Sequence, residues 1–290
     1  MIEDVRLVQE RFRVVGRDLE IELALACLRA RRHLLLEGPV GVGKTILATA
    51  LARHLGRPLW RVDGDERYTE QKLTGWFDPP LVIKQGYNRE TFIPGPVVQA
   101  MTEGGVLFIN ELNRMPESVQ NVLLPALDEG LLAMPMLGSL QAARGFAVIA
   151  TQNPREFVAT THLSEALRDR FEIIRLDYQS SDEEVRIVEL NAGCLDGTEA
   201  PEPAAIREAV GLTRATRDHP LIKRGASVRA AISMVQIARA LGGPDAIARA
   251  ATLALPTRIE LRDEVDRPAD EIIQSIVEDY RKKVLASGTR

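Results

Sequence analysis

The segment Gly38-Pro39-Val40-Gly41-Val42-Gly43-Lys44-Thr45 constrains this chain most. It directly follows the apolar run Leu34-Leu35-Leu36 and directly precedes Ile46-Leu47-Ala48-Thr49-Ala50-Leu51, which reads as a helix. Strand, glycine loop, Gly-Lys-Thr and helix is the order a phosphate-binding loop requires. Glycines let the backbone turn its N–H groups toward phosphate oxygens, and the following helix start adds positive dipole at the same place. Lys44 is of a length to reach the outer phosphates, and the Thr45 hydroxyl can ligate Mg²⁺. Ile46 opens the helix beside them. The alternative is a plain strand–turn–helix joint with a lysine at its mouth.

Bulk properties narrow the class. The chain has 290 residues, 45% hydrophobic and 27% charged, with a net charge of −4. Such a length allows a sizeable core and one or two domains. The charge balance does not point to a general nucleic-acid or membrane surface. The two cysteines, Cys27 and Cys194, lack metal-ligand spacing and read as reduced thiols. His33, His54, His162 and His219 are scattered without ligand spacing. There is neither a spanning apolar stretch nor a signal-peptide core, so the expected location is the cytoplasm.

Short apolar runs at Leu34–Glu37, Leu59–Asp63, Gly105–Asn110, Phe146–Thr151 and Ile173–Leu176 alternate with helix-like segments at Asp18–Ala30, Thr45–Leu55 and Glu117–Glu129. Unbroken apolar runs of that length suit parallel strands covered on both faces. The expected fold is an α/β nucleotide-binding domain over residues 1–180. A small all-α lid follows over residues 181–290. There, Ser181-x-x-Glu184 reads as a capping box, Ala204–Thr216 as a helix, and Val228–Ala238 as an amphipathic helix with Ser227 at its N-cap. Asp270–Lys283 closes the chain as a last helix, and no strand is expected after about residue 180.

Four further motifs extend the site. Gly105-Val106-Leu107-Phe108-Ile109-Asn110-Glu111 is an apolar strand ending in an acid, the Walker B arrangement. Glu111 can polarise water. Asn110 stands where Asp is usual and can only accept a hydrogen bond from a metal-bound water, so hydrolysis is expected to be slow. Asn153, in Ala150-Thr151-Gln152-Asn153-Pro154, follows another strand and could orient the attacking water. An ordinary Asn-Pro turn is the alternative. Arg168 and Arg170 offer guanidinium forks suited to a phosphoryl group, which the next subunit could present, while a solvated, charged helix end is the plainer reading. Arg229, in the first turn of the amphipathic lid helix, could face the nucleotide from the lid, and a surface arginine is the alternative.

Together these residues resemble the MoxR family of AAA+ ATPases. The likeness is carried by Leu36–Thr45, Phe108–Arg114, Ala150–Pro154 and Gly225–Ala230, with Val14-Val15-Gly16-Arg17 similar to the family's N-terminal box near the adenine. It covers roughly residues 10 to 260. The resemblance implies ATP and Mg²⁺ as cofactors, Asn153 as sensor 1, Arg170 as the arginine finger and Arg229 as sensor 2. It places a helix 2 insert at Thr74–Pro96 and a hairpin before sensor 1 at Met134–Gly145, both facing a ring's pore. It further implies a hexameric ring, a partner with a von Willebrand factor A domain, and a client enzyme matured or activated at the expense of ATP. The chain departs from the family at Asn110 and, in a minor way, at Val228, where proline is frequent. A slow nucleotide-dependent assembly switch and a magnesium-chelatase-like motor subunit remain as alternatives. A DNA-directed motor has little support, because the basic cluster Arg29, Arg31 and Arg32 sits at a helix end ahead of a core strand.

Overall fold

The computed structural model describes residues 2–153, 163–192 and 201–287. Pro154, His162 and Cys194 lie outside them. The chain forms two compact units. One holds Met1–Pro39 and Gly43–Asp177, the other Val40–Val42 and Tyr178–Arg290.

In chain order the first unit comprises α1 (Ile2–Phe12), α2 (Asp18–Arg29), β1 (His33–Glu37), α3 (Lys44–His54), β2 (Leu59–Asp63), α4 (Glu70–Thr74), β3 (Gly75–Phe77), α5 (Pro79–Gln85), β4 (Phe92–Pro94), α6 (Pro96–Glu103), β5 (Val106–Asn110), α7 (Glu117–Asp128), β6 (Leu131–Met134), β7 (Gly138–Gln141), β8 (Ala147–Gln152), α8 (Glu165–Arg168) and β9 (Phe171–Arg175). Five strands make one sheet in the order β2-β5-β8-β1-β9, and every pairing is parallel. Leu35, Leu107, Ile109, Val148 and Ala150 belong to one apolar cluster. Their strand neighbours Leu34, Leu36, Phe108 and Ile149 are equally inaccessible to solvent. Both faces are therefore covered, which is why these strands read as unbroken apolar runs rather than as alternation. Polar chemistry is left to the strand ends, and in a parallel sheet the carboxyl ends gather on one edge.

Helix α1 carries no strong sequence signal and was not expected. It forms because Val5 and Val8, one turn apart, are buried, and it packs on α2 and α3. The insert expected between Thr74 and Pro96 folds as β3 and β4 paired antiparallel around α5. Asp78 opens α5, its carboxylate accepting from the Leu81 N–H at 3.2 Å ahead of Pro79. β6 and β7 form the hairpin expected near residues 134–145.

The second unit contains α9 (Ser181–Ala192), α10 (Pro203–Arg217), β10 (Ile222–Arg224), α11 (Val228–Leu241), α12 (Ala246–Ala254), β11 (Glu260–Leu261) and α13 (Ala269–Ser287). Val188, Val210, Leu212, Met234, Val235, Ala250 and Ile273 form its core. Among its described residues it is helical apart from one short antiparallel pair, β10 with β11, which corrects the expectation of no strand beyond residue 180. That pair is fastened by Lys223 and Arg224 to Glu260, at 3.0 and 3.4 Å, so no apolar pattern announces it.

The capping box lies one residue earlier than expected. Ser180 Oγ accepts from the Glu183 N–H at 3.3 Å, and the Glu183 carboxylate accepts from the Ser180 N–H at 2.9 Å. Glu184 is instead buried between Arg217 at 2.8 Å and Arg214 at 3.1 Å. Both registers fit Ser180-Ser181-Asp182-Glu183-Glu184, and the two arginines of α10 decide between them. Ser227 does occupy the N-cap of α11, but its side chain makes no capping hydrogen bond.

Candidate functional site

The sheet order sets the site. β1 lies between β8 and β9, and β5 lies between β2 and β8. The chain leaves β1 through Gly38 and Pro39, turns through Val40, Gly41 and Val42, and enters α3 at Lys44. Gly43 caps α3 with φ 94°. A Cβ there would meet nothing within 4 Å, so glycine is required by backbone conformation and not by space. Gly38 is required by close approach, because a Cβ on it would sit 2.1 Å from the Leu176 carbonyl oxygen.

Lys44 is nearly buried. Its Nζ donates to the carbonyls of Gly38 and Pro39 at 2.6 and 2.7 Å, and to Asn153 Oδ1 at 2.7 Å. Asn153, just past β8, donates from Nδ2 to Glu111 Oε1 at 3.4 Å. Glu111 follows β5 in a left-handed conformation, φ 57° and ψ 52°, which is strained for a residue other than glycine. Its N–H donates to Thr151 Oγ1 at 2.9 Å, and Arg114 Nη1 lies 2.8 Å from its Oε2. Thr45 and Thr151 both donate to Asn110 Oδ1, at 3.5 and 3.1 Å. The structure thus brings Lys44, Thr45, Asn110, Glu111 and Asn153 into one connected network across β1, β5 and β8.

Three participants were not foreseen. Asp63 ends β2 and pairs in register with Asn110, whose Nδ2 donates to Asp63 Oδ1 at 3.0 Å. The Arg61 guanidinium, followed by the Asn110 amide, holds the Asp63 carboxyl below its usual pKa. Thr151 anchors both residues at the end of β5. Arg114 binds the proposed water-activating carboxylate, and Glu111 in turn raises the Arg114 pKa. The only available signals were the polar ends of two apolar runs, since sequence spacing does not show which strand ends are neighbours. A cleft of about 380 Å³ adjoins the start of α3, lined by Thr45, Ile46, Thr49 and Arg53 with Arg11, Phe12 and Arg13 from the end of α1. Ile46 is largely exposed there.

Two expected residues have other surroundings, each described within its own unit. Arg170 is bound to Asp128 Oδ2 at 2.7 Å and donates to the Ala166 carbonyl, while Arg168 is exposed. Arg229 belongs to the second unit, in the first turn of α11, with its side chain exposed. The basic cluster is engaged in part: Arg29 pairs with Asp4 at 2.8 Å and Arg32 with Glu172 at 3.0 Å. Among the described residues no helix is long and apolar enough to cross a membrane. Nor do three or more His, Cys, Asp or Glu side chains among them gather as a metal site.

Comparison with known proteins agrees with this architecture. Residues 33–171 match the AAA domain of the dynein-related subfamily. YeaC of Bacillus subtilis strain 168 is 30% identical over 97% of this chain and 94% of its own length. The gas vesicle ATPase GvpN2 of Halobacterium salinarum is 28% identical over 87% of this chain and 76% of its own. A crystal structure of a candidate ATPase from Cytophaga hutchinsonii superposes with a TM-score of 0.54 at 24% identity, covering 95% of this chain and 94% of that one, and shares the fold. The chain belongs to the AAA+ ATPase family.

Proposed function

We propose that this protein is a MoxR-like AAA+ ATPase that binds ATP with Mg²⁺ and uses hydrolysis to remodel or activate a target enzyme. The observation that carries the reading is the Lys44–Asn153–Glu111 connection. It links the phosphate loop to a carboxylate and a polar sensor at two neighbouring strand ends. The oxygen donors beside it, Thr45, Asn110 and Asp63, suit a hard cation that arrives with a phosphate and keeps several waters. Residues 1–180 would act as the nucleotide-binding domain and residues 181–290 as its lid.

In this reading Gly38 through Ile46 cradle the phosphates, and Lys44 exchanges its carbonyl partners for phosphate oxygens. Thr45 would ligate Mg²⁺ and Asn110 would hold the ion through a bound water; the ion would supply positive charge against the phosphoryl oxygens. Glu111 accepts a proton from water at its carboxylate, and Asn153 fixes the orientation of that carboxylate. Phe12 and Ile46 offer apolar surface for the base beside the cleft arginines. Arg170 acts on the site of the next subunit in a homo-hexameric ring, and Arg229 acts from the lid. The insert β3-α5-β4 and the β6-β7 hairpin would face the pore. The partner would carry a von Willebrand factor A domain and the location would be cytoplasmic. Similarity to a gas vesicle ATPase supports the ATPase activity, and the family resemblance supports the rest.

The test is ATP hydrolysis measured across a range of protein concentrations, with Glu111→Gln as the control. Activity should rise cooperatively with concentration and be lost in the variant. A monomer by sedimentation at every ATP concentration would refute the ring. The presence of Asn110 favours a second reading, a slow nucleotide-dependent assembly switch. Nucleotide binding without turnover would favour it, or an enzyme that waits for its partner.

A further inference from the structure

We propose that Asp63 supplies the negative charge for the nucleotide's Mg²⁺ that Asn110 lacks, so that the two side chains together do the work of one Walker B aspartate. The proposal rests on the nucleotide-binding reading above. Asp63 and Asn110 are register partners at the ends of adjacent parallel strands. The Asn110 amide is oriented by its bonds. Its nitrogen donates to Asp63 Oδ1 at 3.0 Å, and its oxygen accepts from Thr45 at 3.5 Å and from Thr151 at 3.1 Å. Thr45, Asn110 and Asp63 therefore form a continuous chain from the start of α3 to a carboxylate.

The same geometry explains why residue 110 is not an acid here. A carboxylate at 110 would stand about 3 Å from Asp63, and two like charges at that distance cannot both remain ionised without a large cost. The pair accommodates one charge, and the sequence places it at 63. Mg²⁺ in phosphate sites keeps several waters and needs only one or two carboxylates, so a carboxylate one residue further out can act through a water. Asp63 also accepts from Arg61 Nε at 3.0 Å and Nη2 at 2.7 Å. Both partners of that ion pair are more than half exposed, and such pairs are weak in water. Arg61 can therefore yield Asp63 to a divalent cation.

The experiment uses the full chain with a non-hydrolysable ATP analogue and Mn²⁺ as the probe, free Mn²⁺ being read by electron paramagnetic resonance. A fluorescent ATP analogue in EDTA separately reads metal-free nucleotide binding. Asp63→Asn should weaken Mn²⁺ binding about 10-fold, the range found for outer-shell partners of a metal. Metal-free nucleotide affinity should be unchanged. Asn110→Asp alone should not tighten Mn²⁺ binding, whereas the exchanged pair Asp63→Asn with Asn110→Asp should regain most of the loss. Unaltered Mn²⁺ binding in Asp63→Asn, or an exchanged pair no better than Asp63→Asn, overturns the proposal. Wild-type protein that binds no nucleotide, with or without metal, overturns both this inference and the reading beneath it. Thermal unfolding of each variant in EDTA controls for folding.

Discussion

Arg114 Nη1 sits 2.8 Å from Glu111 Oε2, one helical turn from a carboxylate held in the left-handed region. The opposite oxygen of the same carboxylate receives Asn153 Nδ2 at 3.4 Å. Glu111 is thereby fixed from two sides. Arg114 is half exposed, and exposed ion pairs add little stability. Its loss should therefore leave the melting temperature in place. A small misplacement of a reacting group can nonetheless cost orders of magnitude in rate. Arg114→Ala should lower kcat for ATP about 10-fold with KM little changed, and Arg114→Lys should recover part of it. Steady-state kinetics beside a thermal melt checks both halves.

Lys44 and Asn153 share one hydrogen bond but should fail differently. Lys44 carries the positive charge of the loop, so Lys44→Ala should abolish measurable ATP binding in a calorimetric titration. Asn153 reaches Glu111 rather than the loop backbone. Asn153→Ala should bind ATP within a fewfold of wild type while kcat falls about 100-fold, the scale of a lost general-base contribution.

Arg170 is held by Asp128 in its own chain, so on the ring reading its action on a neighbour requires that bond to open. Arg170→Ala should be inactive alone. Mixing it with inactive Glu111→Gln should restore activity, because a mixed ring contains interfaces with an intact carboxylate facing an intact arginine. An inactive mixture would exclude a trans role. Asp128→Ala removes the competing carboxylate and should leave activity at or above wild type.

The course of the strands was legible in the sequence because burial on both faces leaves an unbroken apolar signature, as in Leu34-Leu35-Leu36 and Val106–Ile109. The phosphate loop was legible because its demands are local: glycines of positive φ, then a lysine and a hydroxyl at a helix start. Asp63 was not. Its partner Asn110 lies 47 residues away, and only the strand order makes them neighbours. α1 was missed because only two of its apolar residues, Val5 and Val8, are buried, and its ties to α2 and α3 include the long-range pairs of Asp4 with Arg29 and His54. The Ser180–Glu183 cap was misregistered because the competing acid, Glu184, is claimed by two arginines that arrive 30 and 33 positions later in the chain.

That claim has an energetic consequence. Glu184 is almost wholly buried, as is its closer partner Arg217, whose guanidinium also stacks 3.9 Å over the Tyr178 ring. Removing one member of a buried ion pair strands the other and costs about 3–5 kcal/mol. Glu184→Ala should destabilise the second unit by that order in urea unfolding, whereas Glu183→Ala, which removes only a cap, should cost about 1 kcal/mol.

His33 makes stability depend on pH. Its Nδ1 accepts from the Val148 N–H at 3.0 Å, so Nε2 carries the proton facing the Leu127 carbonyl at 3.1 Å. Burial pushes its pKa down to about 4 from 6.5. A depressed pKa means that the unfolded chain takes up the proton first. The contribution of neutral His33 is complete above about pH 6.5 and is lost progressively as pH falls toward 4, reaching about 3 kcal/mol. Replacing His33 with Gln should flatten the slope of unfolding free energy across that window.

The alignment of Asp63 with Asn110 bears on how such proteins are sorted. A parallel sheet lays its strand ends side by side, so an acid can pass from one end to the next while the hydrophobic interior remains as it was. A catalogue that scores each strand terminus separately would file this chain among degenerate ATPases. One that scores the rim as a row would count Asp63 beside Asn110, and on the proposal above the charge is displaced rather than lost.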